Sequence, residues 1–87
     1  MRKHYSSILK QFFYTYLVET RAHLRLTQAE MAQLLVMDDR SYIDLDHGKC
    51  SCSALTLVLF LLYCCPDPMD FLSKFRTALE TEVGHVA

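Results

Sequence analysis

Glycine and proline are nearly missing from this chain, with two of each among 87 residues. No segment alternates with period two long enough to make a strand, so a sheet fold is not expected and the chain reads as all-α. An excess of charge of one sign is missing too. Nine Lys+Arg face ten Asp+Glu, a net charge of -1, so nothing global draws the chain to phosphate backbones and any basic surface must be local. Long apolar runs are also lacking: the longest, from Leu57 to Cys65, falls well short of the roughly 18 to 20 residues that span a bilayer. Lys10 and Gln11 interrupt the apolar stretch behind Arg2-Lys3-His4, and no small-residue cleavage site follows. A cytoplasmic protein with neither signal peptide nor membrane partner is the expectation. His4, His23, His47 and His85 are scattered, and there is no G-x-S-x-G, phosphate-cradling glycine loop or H-E-x-x-H. No catalytic residue, cofactor or enzyme activity is expected.

What is present is apolar and helical. At 52% hydrophobic content, residues 1–87 can form one compact domain. Leu9, Phe12, Phe13, Tyr16 and Leu17 recur at three- and four-residue steps, predicting a long amphipathic first helix from Ser7 to His23, continued by Leu24. Its aromatic residues lack the interleaved basic residues of a base-stacking platform, which assigns them to the core. Thr27 with Glu30 matches a capping box and starts a second helix at Gln28 that runs to about Leu35. Asp38 or Asp39 can cap a third helix, about Asp39 to His47, which Gly48 is placed to end. Ser51 or Ser53 can start a fourth, carrying Leu55 to Tyr63 and stopping before Pro66. Asp67-Pro68-Met69-Asp70 restarts the chain as a fifth helix with Leu72, Phe75 and Leu79 along one face and Gly84 near its end.

Cys50 and Cys52 form a C-x-C pair, and Cys64 and Cys65 are adjacent. Neighbours on a helix point about 100° apart and the usual C-x-x-C spacing is absent, so reduced thiols acting as small hydrophobes are preferred over a disulfide or a metal site. No metal ligands are assigned.

Leu26-Thr27-Gln28-Ala29-Glu30-Met31-Ala32, followed by Leu45-Asp46-His47-Gly48-Lys49, resembles the XRE, or Cro/repressor, family of phage and bacterial helix-turn-helix proteins. There an LTQ-x-E-L-A second helix precedes, at fixed distance, an I-x-x-[LIW]-E-x-G-[KR] ending of the recognition helix. The resemblance implies a compact five-helix, lambda repressor-like fold with its helix-turn-helix at about 28–47. It implies a phosphate contact at Gln28, and base contacts in the major groove around Asp39, Arg40, Ser41 and Asp44. His47 and Lys49 fall where the family meets backbone phosphates, and Ala32, Leu35, Tyr42 and Leu45 at its core positions.

Three residues depart from that pattern. Val36 stands where the family usually has a turn glycine, and a β-branched residue resists positive φ, so the turn is expected to be reshaped or extended. Asp39 and Asp44 replace neutral or basic residues. From Asp38 to Lys49 four aspartates face one arginine and one lysine, a local charge of -2 with His47 neutral. An aspartate can accept from cytosine but is repelled by phosphates, so compensation is expected from Arg21, Arg25, Arg40 and Lys49, with Arg2, Lys3 and Lys10.

In the fourth helix Leu57, Val58, Phe60 and Leu61 suffice for a core face, which leaves Leu55, Leu59 and Leu62 as an outer apolar stripe. Either the aromatic segment of the first helix or a second subunit can cover it. Two functions follow. One is a homodimeric transcription regulator that binds a short palindrome of double-stranded DNA. The other is a helix-turn-helix scaffold docking a basic protein partner through its acidic third helix, as an antirepressor or an inhibitor of a nucleic-acid enzyme would.

Overall fold

The computed structural model describes residues 2–83, which form five α-helices and no strand. They are α1 (Arg2–Leu24), α2 (Gln28–Leu34), α3 (Asp39–Asp46), α4 (Ala54–Leu59), continued by a π turn over Phe60–Cys64, and α5 (Pro68–Val83). At 1.5 Å per residue α1 is about 34 Å long, and it accounts for most of the 40 Å extent of a compact particle of radius of gyration 13.0 Å. The expected role of Gly84 lies outside the described residues.

The helix starts follow the capping chemistry in the sequence. Thr27 Oγ1 accepts from the Glu30 amide at 3.1 Å while Glu30 Oε1 accepts from the Thr27 amide at 2.8 Å, a reciprocal capping box. Asp38 Oδ1 takes the Ser41 amide at 2.7 Å, Ser53 Oγ the Thr56 amide at 3.1 Å, and Asp67 Oδ1 the Met69 and Asp70 amides. These bonds hold the Glu30 and Asp38 carboxyls below their ordinary pKa.

The helix ends hold a correction. Arg25, Val36 and Gly48 all adopt positive φ, at 59°, 53° and 71°. Each is followed by an amide that reaches back five residues: Leu26 to the Arg21 carbonyl, Met37 to Ala32, Lys49 to Asp44. Three helices thus close with one reversal, the Schellman motif, and glycine supplies it once. Val36 was expected to reshape its turn and instead makes the turn a glycine would make. Its side chain is 79% exposed and meets no obstacle, while Leu35 on one side is buried and Met37 on the other packs on the core. Those anchors hold the chain in a conformation that costs an L-residue about 1–2 kcal/mol. At Gly48 there is less latitude, because a Cβ would sit 3.3 Å from the Tyr14 ring, which would have to give by a few tenths of an ångström.

The core joins α1 to everything else. Phe13 and Leu17 meet Met31, Leu35, Tyr42 and Leu45 from α2 and α3 and Phe60 and Phe71 from the second half of the chain. The aromatic rings mostly meet edge-on, as their quadrupoles prefer: Phe13 on Phe60 at 5.3 Å, Phe12 on Phe71 at 5.2 Å and Tyr16 on Phe71 at 4.9 Å. Two face assignments change. Phe71 rather than Leu72 anchors α5, and Leu72 is half exposed. In α4 the expected inner residue Val58 is half exposed, while the expected outer residue Leu59 packs against the core. The π turn lies just beyond, where the Cys65 amide donates to the Phe60 carbonyl at 2.9 Å, five residues back. Cys65 itself is extended (φ -78°, ψ 118°), as the residue before Pro66 must be. No helix among the described residues is long and apolar enough to cross a membrane.

Candidate nucleic-acid interface

The inner face of α3 carries Tyr42, Leu45 and Asp46, at the three- and four-residue steps of a buried stripe. An acid in that stripe is tolerable only with partners, since an unpaired buried carboxylate is costly. Asp46 has three. Arg21 of α1 donates from Nε to Oδ1 at 3.0 Å and from Nη2 to Oδ2 at 3.4 Å, Gln28 of α2 donates to Oδ2 at 3.0 Å, and the Tyr42 hydroxyl donates to Oδ1 at 2.9 Å. Arg21 Nη1 also reaches the Leu26 carbonyl at 3.3 Å, just before α2. One carboxylate therefore ties three helices together. Burial pushes the Asp46 pKa up, but the hydrogen bonds from Gln28, Tyr42 and Arg21 outweigh it and leave it below the usual carboxylate value. Burial, then the bond to Asp46, raises the Tyr42 phenol above its ordinary range.

The start of the helix is different. Asp39, Arg40 and Ser41 lie on the first turn of α3, all exposed, and Asp39 and Arg40 make no side-chain hydrogen bond or ion pair among the described residues. His47 and Lys49 are exposed beyond the other end, with the Lys49 backbone held by its 2.9 Å bond to the Asp44 carbonyl. Asp44 is half-buried, and with Ser41 it lines a cleft of about 250 Å³ whose other wall is the loop of Cys50 and Cys52. Gln28 is half-buried with its amide on Asp46.

Charge is redistributed accordingly. Asp46 is paired inside with Arg21, so the outward groups from Asp38 to Lys49 are three aspartates against Arg40 and Lys49, a balance of -1 rather than -2. Arg21, counted in the sequence among the cations that could face phosphate, is committed to the interior. The pair was missed because its members are 25 residues apart; the signal was Asp46 itself, an acid in register with Tyr42 and Leu45.

A second cleft, about 420 Å³, opens between α1 and α5 and is lined by Tyr16, Glu19, Thr20, His23, Asp70 and Lys74, among others. Its Asp70 accepts from the Tyr16 hydroxyl at 2.8 Å and pairs with Lys74 at 3.2 Å, bonds that lower the Asp70 pKa. All four thiols are unpaired: Cys50 is exposed, Cys52 half-buried, Cys64 and Cys65 buried. Burial raises the Cys52 and Cys64 thiols above their ordinary pKa. Among the described residues no group of three His, Cys, Asp or Glu side chains could hold a metal ion. On the proposed partner surface Leu55 and Leu62 are exposed, and Leu59 is turned to the core. Comparison of the chain with protein-family models, with curated proteins and with solved structures finds no match in any of the three.

Proposed function

We propose that this chain is a DNA-binding transcription regulator of the Cro/repressor kind, acting as a homodimer on a short palindrome with α3 in the major groove. The observation that carries this reading is the division of α3. Its inner face is engaged by Arg21 and Gln28 through Asp46, whereas on its first turn the side chains of Asp39, Arg40 and Ser41 make no hydrogen bond or ion pair among the described residues. The start of a recognition helix is the part that approaches base edges. Arg40 reads guanine through O6 and N7, a contact worth about 1–3 kcal/mol of discrimination. Asp39 accepts from a cytosine amino group, Ser41 bonds to either strand, and Lys49 and His47 meet backbone phosphates. Gln28 serves as a brace on Asp46, which keeps α2 and α3 in register. The reading makes the chain a binding protein and assigns it no catalysis.

The outward balance of -1 favours a second reading, in which the same scaffold docks a basic protein surface through α3. Replacing Asp39 and Asp44 together with lysine abolishes binding to such a partner and strengthens binding to DNA. Selection from random duplexes at low salt separates the two readings. The DNA reading expects an enriched palindrome, with Lys49→Ala weakening all sequences alike and lowering the salt slope by about one per protomer. No enriched sequence from a confirmed dimer refutes it.

A further inference from the structure

We propose that the outer surface of α4 and its π turn is the contact between two copies of this chain, which rests on the homodimeric part of the reading above. Four apolar side chains there are left uncovered: Leu55 is 66% exposed, Val58 51%, Leu62 65% and Tyr63 66%. This differs from the stripe expected from an unbroken α-helix, because Leu59 turns inward and Val58 and Tyr63 join the surface. The π turn adds a residue to the last turn of the helix and so keeps both Leu62 and Tyr63 on the outside while Phe60 and Cys64 are buried.

The first helix does not supply the cover. Phe12 packs on Phe71 and Phe75, and Phe13 on Phe60, so the aromatic face of α1 is engaged on the inner side of α4 and along α5. Residues 50–66 contain no Asp, Glu, Lys, Arg or His. A charged partner finds no counter-charge within this segment, whereas an uncharged apolar stripe is its own complement about a two-fold axis.

The area fits a weak dimer. Full burial corresponds to about 60–120 Å² for a leucine or valine and about 150–250 Å² for a tyrosine, so the four side chains expose roughly 300 Å² per protomer. Two such stripes bury roughly 600 Å² between them, about half of the roughly 1,200 Å² at which stable complexes begin, so the contact is a weak one that fills as the chain is concentrated.

Sedimentation of the full chain in reducing buffer, without DNA, from about 1 μM to about 1 mM tests this. The expected mass rises with concentration from 10.1 kDa towards twice that value. Leu62→Glu and Leu55→Glu each hold the chain at the monomer mass with an unchanged circular dichroism spectrum and, at dilutions where the wild type is monomeric too, an unchanged melt, because both sites are exposed, while Leu72→Glu on α5 leaves the dimer intact. A wild-type chain that stays monomeric throughout, or a dimer indifferent to both α4 changes, overturns the proposal. A dimer that selects no DNA sequence overturns the DNA reading and leaves this interface standing; a monomer that does select one overturns this interface and the homodimeric part of that reading, and leaves DNA binding by α3 standing.

Discussion

Asp46 and Asp39 sit seven residues apart on one short helix and live in opposite surroundings. Asp46 is 5% exposed and receives hydrogen bonds from side chains of all three N-terminal helices; Asp39 is exposed and makes no side-chain bond among the described residues. The same residue type is thus a structural keystone at the end of the helix and free of intramolecular side-chain bonds at its start. A count of aspartates along α3 misleads, because only those facing outward bear on what the helix can meet.

The contrast is broken most severely at Asp46. Asp46→Ala removes the partner of a half-buried arginine and is expected to cost about 3–5 kcal/mol, whereas Asp39→Ala is expected to change stability by no more than about 0.5 kcal/mol. Urea denaturation of both variants gives the comparison directly, and equal losses would contradict it. The pH dependence carries the same signature. The Asp46 pKa is lower folded than unfolded, so its contribution is present above the unfolded value, about 3.9, and is lost as pH falls through the folded one. The Tyr42 pKa is raised on folding, so its contribution is complete below about pH 10 and is lost as pH rises through the folded value. Stability measured against pH should be flat from about pH 4.5 to about pH 8.5, above which the raised Cys52 and Cys64 thiols and then Tyr42 lower it, and should fall again in acid, with the acid limb shallower in Asp46→Asn.

The helix ends offer a smaller contrast of the same kind. Gly48→Ala places a Cβ against the Tyr14 ring at positive φ and is expected to cost about 2 kcal/mol. Val36→Gly relieves positive φ at an exposed site and is expected to gain about 1 kcal/mol, less the extra entropy glycine gives the unfolded chain. Thermal melts check both signs.

Much of the fold was legible locally. Thr27, Asp38, Ser53 and Asp67 cap where their side chains allow, and the ends of α2 and α3 fall within a residue of expectation. What was not legible depends on contacts distant in sequence or on a break in period. Val36 takes a left-handed conformation because Leu35 and Met37 are anchored by the core, and this overrides the preference of the residue itself. Leu59 and Val58 exchange faces beside a π turn that the 3.6-residue rule does not foresee. Of the candidate site, Asp39, Arg40, Ser41, His47 and Lys49 are exposed, while Gln28 is drawn inward by Asp46 and Asp44 sits at a cleft wall. Their positions along α3 follow from spacing, but the inward pull on Gln28 follows from a carboxylate 18 residues away.

Whether the outward first turn of α3 reads DNA is decided by selecting random duplexes at low salt with the wild-type chain and with Arg40→Ala in parallel. The wild type should enrich one palindrome, and Arg40→Ala should lose discrimination at a single guanine per half-site by roughly 5- to 150-fold while retaining its fold. An identical enriched sequence from both proteins, or none from the wild-type dimer, would contradict it.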